Sequence, residues 1–200
     1  MPLSRRSFFG HGLGFGVLLA GCAREAFAAP TPRVVDDDDD HPCIVTADNI
    51  EGPFYKSGAP SRATFVGELD RGERLLLTGS VRSTSCEPLA NAVLDIWHAD
   101  ARGGYDNDGF GLRGTLRTDD HGRFALRTLI PGRYLNGKQY RPSHIHVKVR
   151  ARGRTELTTQ LYFEGDPYIA RDPFVVSSLV MAHRKASTGG GRVAAFDFVI

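Results

Sequence analysis

His144 and His146 stand two residues apart in the run Tyr140-Arg141-Pro142-Ser143-His144-Ile145-His146-Val147-Lys148-Val149-Arg150. Two imidazoles at that spacing can hold one metal ion if a strand carries them, because side chains at i and i+2 of a strand share a face. The β-branched residues between them suit a strand. Ile145, Val147 and Val149 then form an apolar stripe for a core, while His144 and His146 project together from the other face and Lys148 and Arg150 follow them towards solvent. A His-x-His pair is only half of a metal site, and on its own is more often a half-exposed polar face. Further donors must come from elsewhere in the chain.

The elements that could supply them are short and β-like. Leu75 to Ser83 reads as a strand, and Cys86 to Asn91 as a turn. Ala92 to His98 reads as a second strand, with Leu94 and Ile96 on one face and Asp95 and Trp97 on the other. A glycine- and aspartate-rich loop from Arg102 to Arg113 holds Tyr105. Asp119-Asp120-His121-Gly122 is a hairpin turn into a strand from Arg123 to Leu129, and Pro131-Gly132-Arg133-Tyr134 ends that strand. A polar loop then leads to the His-x-His strand. Thr155 to Phe163 alternates Leu157, Thr159, Leu161 and Phe163 against Glu156, Thr158, Gln160 and Tyr162, and Val193 to Ile200 closes the chain. Asp166 to His183 is open between a covering loop, a short helix and a strand. With 23 glycines and no long amphipathic helix, the expected fold is all-β, an antiparallel β-sandwich of about seven or eight strands whose loops carry part of the site.

The 200 residues, 41% hydrophobic and 24% charged, suffice for one domain with a proper core, expected over residues 43–200. Residues 1–29 read as an export signal: Arg5-Arg6 is a twin-arginine pair ahead of a glycine-rich apolar run too short to span a membrane. Leu19-Ala20-Gly21-Cys22 resembles a lipoprotein box, which would make Cys22 a lipid anchor on a periplasmic or cell-envelope protein; the competing cut follows Ala28 and frees a soluble product. Residues 23–42, with Asp36 to Asp40, form an acidic tether that cannot bury apolar area. Removing Arg5 and Arg6 leaves 23 basic against 23 acidic residues, a balance that excludes a nucleic-acid binder. Cys43 and Cys86 are the two cysteines left in an oxidising compartment, and are expected to pair.

Tyr105 and Tyr134 each lie in a glycine-bearing turn after a strand. At this point the chain resembles the intradiol ring-cleavage dioxygenases, on the stretches Asp95 to Tyr105, Arg127 to Tyr134, Arg141 to His146 and Thr159 to Phe163, with Glu51-Gly52-Pro53-Phe54-Tyr55 as an approach segment. The resemblance implies one Fe(III) per chain, held by Tyr105, Tyr134, His144 and His146 with a water or hydroxide as the fifth ligand. It implies a catechol-type aromatic substrate and O2, with cleavage between the two hydroxylated carbons to a muconate-type diacid. Within it Tyr134 leaves the metal as the substrate binds and takes up a catechol proton, Arg141 stabilises negative charge building on the attacked carbon, and Gln160 is a supporting candidate. Chemistry explains the donor types: a phenol ionises near pH 10, and a strong Lewis acid is needed to hold it as phenolate near neutrality. The helical dimerisation segment that precedes the sandwich in catechol-type members has no counterpart here, since signal and tether fill that space, and the oligomeric state stays open. Arg113 and Arg133 lie near the site loops in sequence, without a residue that can be assigned to a substrate carboxylate. His98 reads as a packed group.

Two other classes compete. A zinc hydrolase on a sandwich would use His144, His146 and a carboxylate such as Asp95 or Asp119, and would be colourless. A transthyretin-like binding module would have lost its metal. A visible spectrum with metal analysis separates all three.

Overall fold

The β-branched runs form strands because their alternating side chains can bury one face in a shared core, and the computed structural model describes this for residues 43–68 and 70–200. The expected export signal and acidic tether lie outside the described residues. In chain order the strands are β1 Arg74–Arg82, β2 Val93–His98, β3 Arg113–Arg117, β4 Arg123–Leu129, β5 Tyr134–Asn136, β6 Gln139–Arg141, β7 His144–Arg150, β8 Leu157–Phe163, β9 Val180–Met181, β10 His183–Lys185, β11 Arg192–Ala195 and β12 Phe198–Val199. The segment left open in sequence holds two short 3₁₀ turns, Ile169–Arg171 and Ser177–Leu179, followed by β9.

Two five-stranded sheets pack face to face. One has β1 at its centre, paired with β4 on one side and with β11 and β12 in succession on the other; its far edge is β10. The other runs β3-β2-β7-β8-β9. Leu75 and Leu77 of β1, Leu126 of β4, Leu94 and Ile96 of β2, Ile145, Val147 and Val149 of β7 and Leu161 of β8 meet in the core between them. The sandwich is mixed and not purely antiparallel: β1 runs parallel to β11 and β12, and β8 parallel to β9. The expected last strand is broken at Phe196-Asp197, where the Asp197 carboxylate accepts hydrogen bonds from Ser80 N (2.7 Å) and Ser80 Oγ (2.8 Å). There are twelve short strands among the described residues where seven or eight were expected, and the excess includes this break and the hairpin β5–β6, which is a separate two-stranded sheet.

The outer face of the second sheet carries polar residues in cross-strand rows. Arg113, Trp97, His146 and Gln160 are successive partners across β3, β2, β7 and β8; Asp95, Lys148 and Thr158 form the next row, and His144 faces Tyr162. This face is covered. A strap from Cys43 to Lys56 leaves β12 (Thr46 N to Val199 O, 3.0 Å), runs beside β8 (Asn49 N to Thr158 O, 2.8 Å) and crosses to β3. Glu51 of the strap meets Lys148 Nζ at 2.7 Å, Tyr55 packs on Trp97, and Arg113 Nη1 donates to the Phe54 carbonyl. Lys148 is therefore not directed to solvent as its place in the alternation suggested. It is buried, held by Glu51, Glu156 and Thr158, with the Tyr55 ring beneath its ammonium.

A disulfide joins Cys43 to Cys86, with Cα atoms 5.4 Å apart, and fixes the start of the strap. Closing this 43-residue separation contributes about 4 kcal/mol by loop entropy. Denatured, unreduced protein should accordingly show no reactive thiol from these two cysteines, and reduction should lower the melting temperature; two titratable thiols from this pair would contradict the bond.

Candidate metal centre

His144 Nδ1–H donates to the Pro142 carbonyl at 2.7 Å, which leaves the lone pair of this ring on Nε2. That atom lies 3.1 Å from His146 Nε2 and 3.4 Å from Tyr105 Oη, and His146 Nε2 lies 3.2 Å from the same Oη. A point equidistant from the three is roughly 2 Å from each, the length of a metal–nitrogen or metal–oxygen bond. Burial lowers the pKa of His144 to about 4 and that of His146 well below the ordinary value, so both rings are neutral near pH 7. Burial, reinforced by Tyr134, raises the Tyr105 phenol, which then stays protonated unless a cation sits beside it. His146 Nδ1 is buried without a partner. Three convergent lone-pair atoms in a dry pocket fit a metal ion better than they fit one another.

The fourth expected donor, Tyr134, starts β5. Its ring packs edge-on to Tyr105 (centroids 5.7 Å) and tilted against His144 (5.7 Å). Phe54 of the strap covers both tyrosines, stacking on Tyr105 at 4.2 Å and meeting Tyr134 edge-on. Gly52 lies over the second histidine, where a Cβ would come 3.2 Å from His146 Cε1.

Backbone contact sets the distance between the two tyrosines. Asp100 Oδ1 accepts from the amides of Arg102 and Gly104 (both 2.8 Å), and the Asp100 carbonyl accepts from Gly132 N at 2.7 Å and Gly103 N at 3.1 Å. Gly103 has φ +92°, and a Cβ there would stand 2.2 Å from the Arg133 carbonyl oxygen; at Gly132 it would stand 2.5 Å from Gly103 N. The loops bearing Tyr105 and Tyr134 touch through these glycines, which is why each tyrosine follows a glycine-bearing turn.

Arg141 is buried, and its neighbours are all polar or aromatic. Its Nε pairs with Asp172, and its Nη2 donates to Gln160 Oε1 (3.0 Å) and lies 3.2 Å from Tyr162 Oη. The Phe174 ring lies 4.8 Å from the guanidinium carbon. In the hairpin register Tyr134 is directly opposite Arg141, so one small sheet carries both. Gln160 also donates to the Ile50 carbonyl of the strap at 2.7 Å.

Several contributors were not singled out from sequence. Trp97 stacks flat on His146 at 4.8 Å and 9°, holding the imidazole from behind. Arg113, noted in sequence only for lying near the site loops, ties Asp106, next to Tyr105, to Phe54. The alternation put Trp97 on the non-core face, and that was the available signal; Asp172 and Phe54 had none beyond the approach segment itself. The remaining candidates are occupied elsewhere. His98 is bonded to Ala99 O (2.8 Å) and Thr128 Oγ1 (2.7 Å). Asp95 accepts from Tyr55 Oη (3.1 Å) and Arg150 (3.2 Å), and Asp119 caps the turn before β4 through the His121 and Arg123 amides, so neither completes a zinc site with the two histidines. Arg133 pairs with Asp166 at 2.8 Å beside Tyr168. A hollow of about 670 Å³ bounded by Gly132, Arg133, Tyr140 and Tyr168 lies behind the hairpin, and none of the four convergent side chains lines it.

Comparison with known proteins shows the family. A family model described as Dioxygenase matches residues 50–200. Chlorocatechol 1,2-dioxygenase of Rhodococcus opacus is 35% identical over 181 residues, covering 76% of this chain and 70% of that protein. Catechol 1,2-dioxygenase 2 of Acinetobacter lwoffii is 36% identical over 149 residues, and there the match spans only 64% of this chain and 54% of the relative. Among solved structures, 3-chlorocatechol 1,2-dioxygenase from Rhodococcus opacus 1CP superposes with a TM-score of 0.74 at 31% identity, over 77% of this chain and 72% of that one. The dioxygenase domain of a dioxygenase–carbohydrate-binding fusion from Streptomyces sp. SirexAA-E gives 0.72 at 42% identity, over 78% of this chain and 98% of that one. The match over residues 50–200 takes in the strap from Ile50 onward, both tyrosine loops and the His-x-His strand together, and the chain belongs to the intradiol ring-cleavage dioxygenase family.

Proposed function

We propose that this chain is a non-haem Fe(III) dioxygenase, with one ferric ion per chain, that opens a catechol between its two hydroxylated carbons with O2 to give a muconate-type diacid. The observation that carries the reading is the triangle of Tyr105 Oη, His144 Nε2 and His146 Nε2, 3.1–3.4 Å on a side, with Tyr134 packed against it. Bound ferric iron supplies the Lewis acidity that holds phenols as phenolates near neutrality and withdraws electron density from a catechol's oxygens. The chain's own residues do the rest. Tyr134 Oη, for which no hydrogen-bond partner is found among the described residues, is the site for a catechol proton. Arg141 presents a fixed positive charge to the ring carbon on which negative charge develops. Gln160, bonded to both Arg141 and the strap, keeps the guanidinium and the wall in register. Phe54 and Gly52 exclude water from the ligand atoms.

The test is direct. Iron-loaded protein should be red-brown and should consume O2 with catechol or a chlorocatechol while a near-ultraviolet diacid band appears. Arg141→Ala should retain the colour and turn over on the order of 10²-fold more slowly, as when one charge-stabilising donor is lost. No tyrosinate band in ferric wild-type protein would refute the reading, and colour without oxygen uptake on any catechol would make it a binding protein.

The same proposal places the enzyme outside the cytoplasm, exported through Arg5-Arg6 and anchored by lipid at Cys22. Replacing both arginines by lysine should leave the protein in the cytoplasm, and Cys22→Ala should move it from the membrane to the soluble fraction. Membrane retention of Cys22→Ala at full yield would remove the anchor.

A further inference from the structure

Asp172 follows the 3₁₀ turn Ile169–Arg171, on a segment that belongs to neither sheet, and its side chain is almost wholly buried (1% exposed). One carboxylate oxygen meets Arg141 Nε, and the other accepts from the Phe174 amide at 2.9 Å. Phe174 is the ring that lies against the Arg141 guanidinium. The carboxylate therefore fixes both the edge of the guanidinium and the aromatic surface beneath it. Nη2 is taken up by Gln160 and Tyr162, and no partner for Nη1 is found among the described residues.

We propose that Asp172 is a positioning residue for ring cleavage: it holds Arg141 by Nε so that Nη1 and its charge meet the carbon that O2 attacks. The proposal rests on the function given above. A guanidinium has five donors in a rigid fork, so fixing Nε and Nη2 determines where Nη1 points. Such placement matters because charge stabilisation in a water-poor site depends on donors already aimed when charge develops. Gln139 Nε2 adds a second tie to the same corner by donating to the Arg171 carbonyl at 2.7 Å, so both ends of β6 are docked there. The bland alternative is a buried ion pair that merely keeps the fold intact, and the two make different predictions.

The experiment uses iron-loaded full-length protein carrying Asp172→Ala, the near-isosteric Asp172→Asn, Arg141→Ala, and Arg141→Ala with Asp172→Ala. For each, iron content, the visible band, the shift of that band on anaerobic catechol titration, and kcat are read. The Asp172 variants are expected to keep iron, colour and the catechol-induced shift within about two-fold, while kcat falls by on the order of 10-fold or more. The double variant should be no slower than Arg141→Ala, since a residue that acts through Arg141 has nothing left to position. Multiplying effects in the double variant would overturn the proposal, as would wild-type kcat in both Asp172 variants, or loss of colour in step with rate. If Asp172→Ala does not fold, Asp172→Asn decides alone: a reduced kcat with the catechol shift intact supports the assignment, and any other pattern ends it. Failure of the underlying function would be visible in the wild-type protein, before any variant is compared.

Discussion

If His144 binds iron as proposed, protein carrying His144→Ala is expected to be colourless and to retain less than about a tenth of an iron per chain, since losing a directly coordinating side chain removes an interaction no neighbour can replace. The space left behind would be lined by Tyr134, His146 and Tyr162, none of which supplies the lost nitrogen. Tyr105→Phe should do nearly the same, because it deletes an oxygen that lies within 3.4 Å of both imidazole nitrogens and leaves the ring's packing against Phe54 intact. Metal analysis with visible spectroscopy after iron loading and desalting checks both. His183→Ala, at a histidine whose ring meets the Glu164 carbonyl and Arg192 far from the three converging donors, is the control and should stay coloured. A His144→Ala protein with full iron and an unshifted band would show that the triangle is not the metal centre.

A loss nearly as large is expected from Gly103→Ala and Gly132→Ala, although neither glycine has a side chain to offer the metal. A methyl group at either position would enter the backbone of the opposite tyrosine loop, 2.2 Å from Arg133 O in one case and 2.5 Å from Gly103 N in the other. Real contacts of that kind do not occur, so the loops must separate and carry Tyr105 and Tyr134 apart. The Gly103 position also needs φ +92°, which any Cβ resists. Gly137→Ala and Gly153→Ala are the proper comparison: both have positive φ, and neither has any atom within 4 Å of the added carbon. They should cost about 1 kcal/mol each and leave the colour unchanged. Retention of the full visible band in Gly103→Ala would contradict the coupling of the loops.

How much of this was legible in the amino-acid order depends on how local each cause is. Period-2 alternation is local, so the apolar stripe Ile145-Val147-Val149, the opposed faces of Leu94/Ile96 and Asp95/Trp97, and the bounds of β4 all agree with the structure. The two histidines followed from the same alternation, and the two tyrosines from resemblance to a family of known chemistry. Lys148 was misjudged because alternation says which face a side chain takes and nothing about what covers that face; the strap that buries it is about a hundred residues earlier. The parallel pairings of β1 with β11 and β12 are likewise decided by distant partners. The hairpin β5–β6 was hidden in a polar run because its backbone bonds serve a separate two-stranded sheet with little apolar patterning of its own.

The strap also dictates when the centre can be completed during synthesis. Thr46 and Val199, 153 residues apart, bond through the Thr46 amide and hydroxyl, and β12 must pair with β1 before that contact exists. A chain still emerging from the ribosome can present the His-x-His strand early, but Thr46 of the strap lacks its β12 partner until Val199 has been made. Contacts this distant in sequence make closure a late and slow event. On the proposed reading, iron arriving before closure would find the two imidazoles on an uncovered sheet face, and iron arriving after it would meet Phe54 packed over both tyrosines. If the proposed ferric site is correct, the interval between the release of β12 and the docking of the strap is the natural moment for loading.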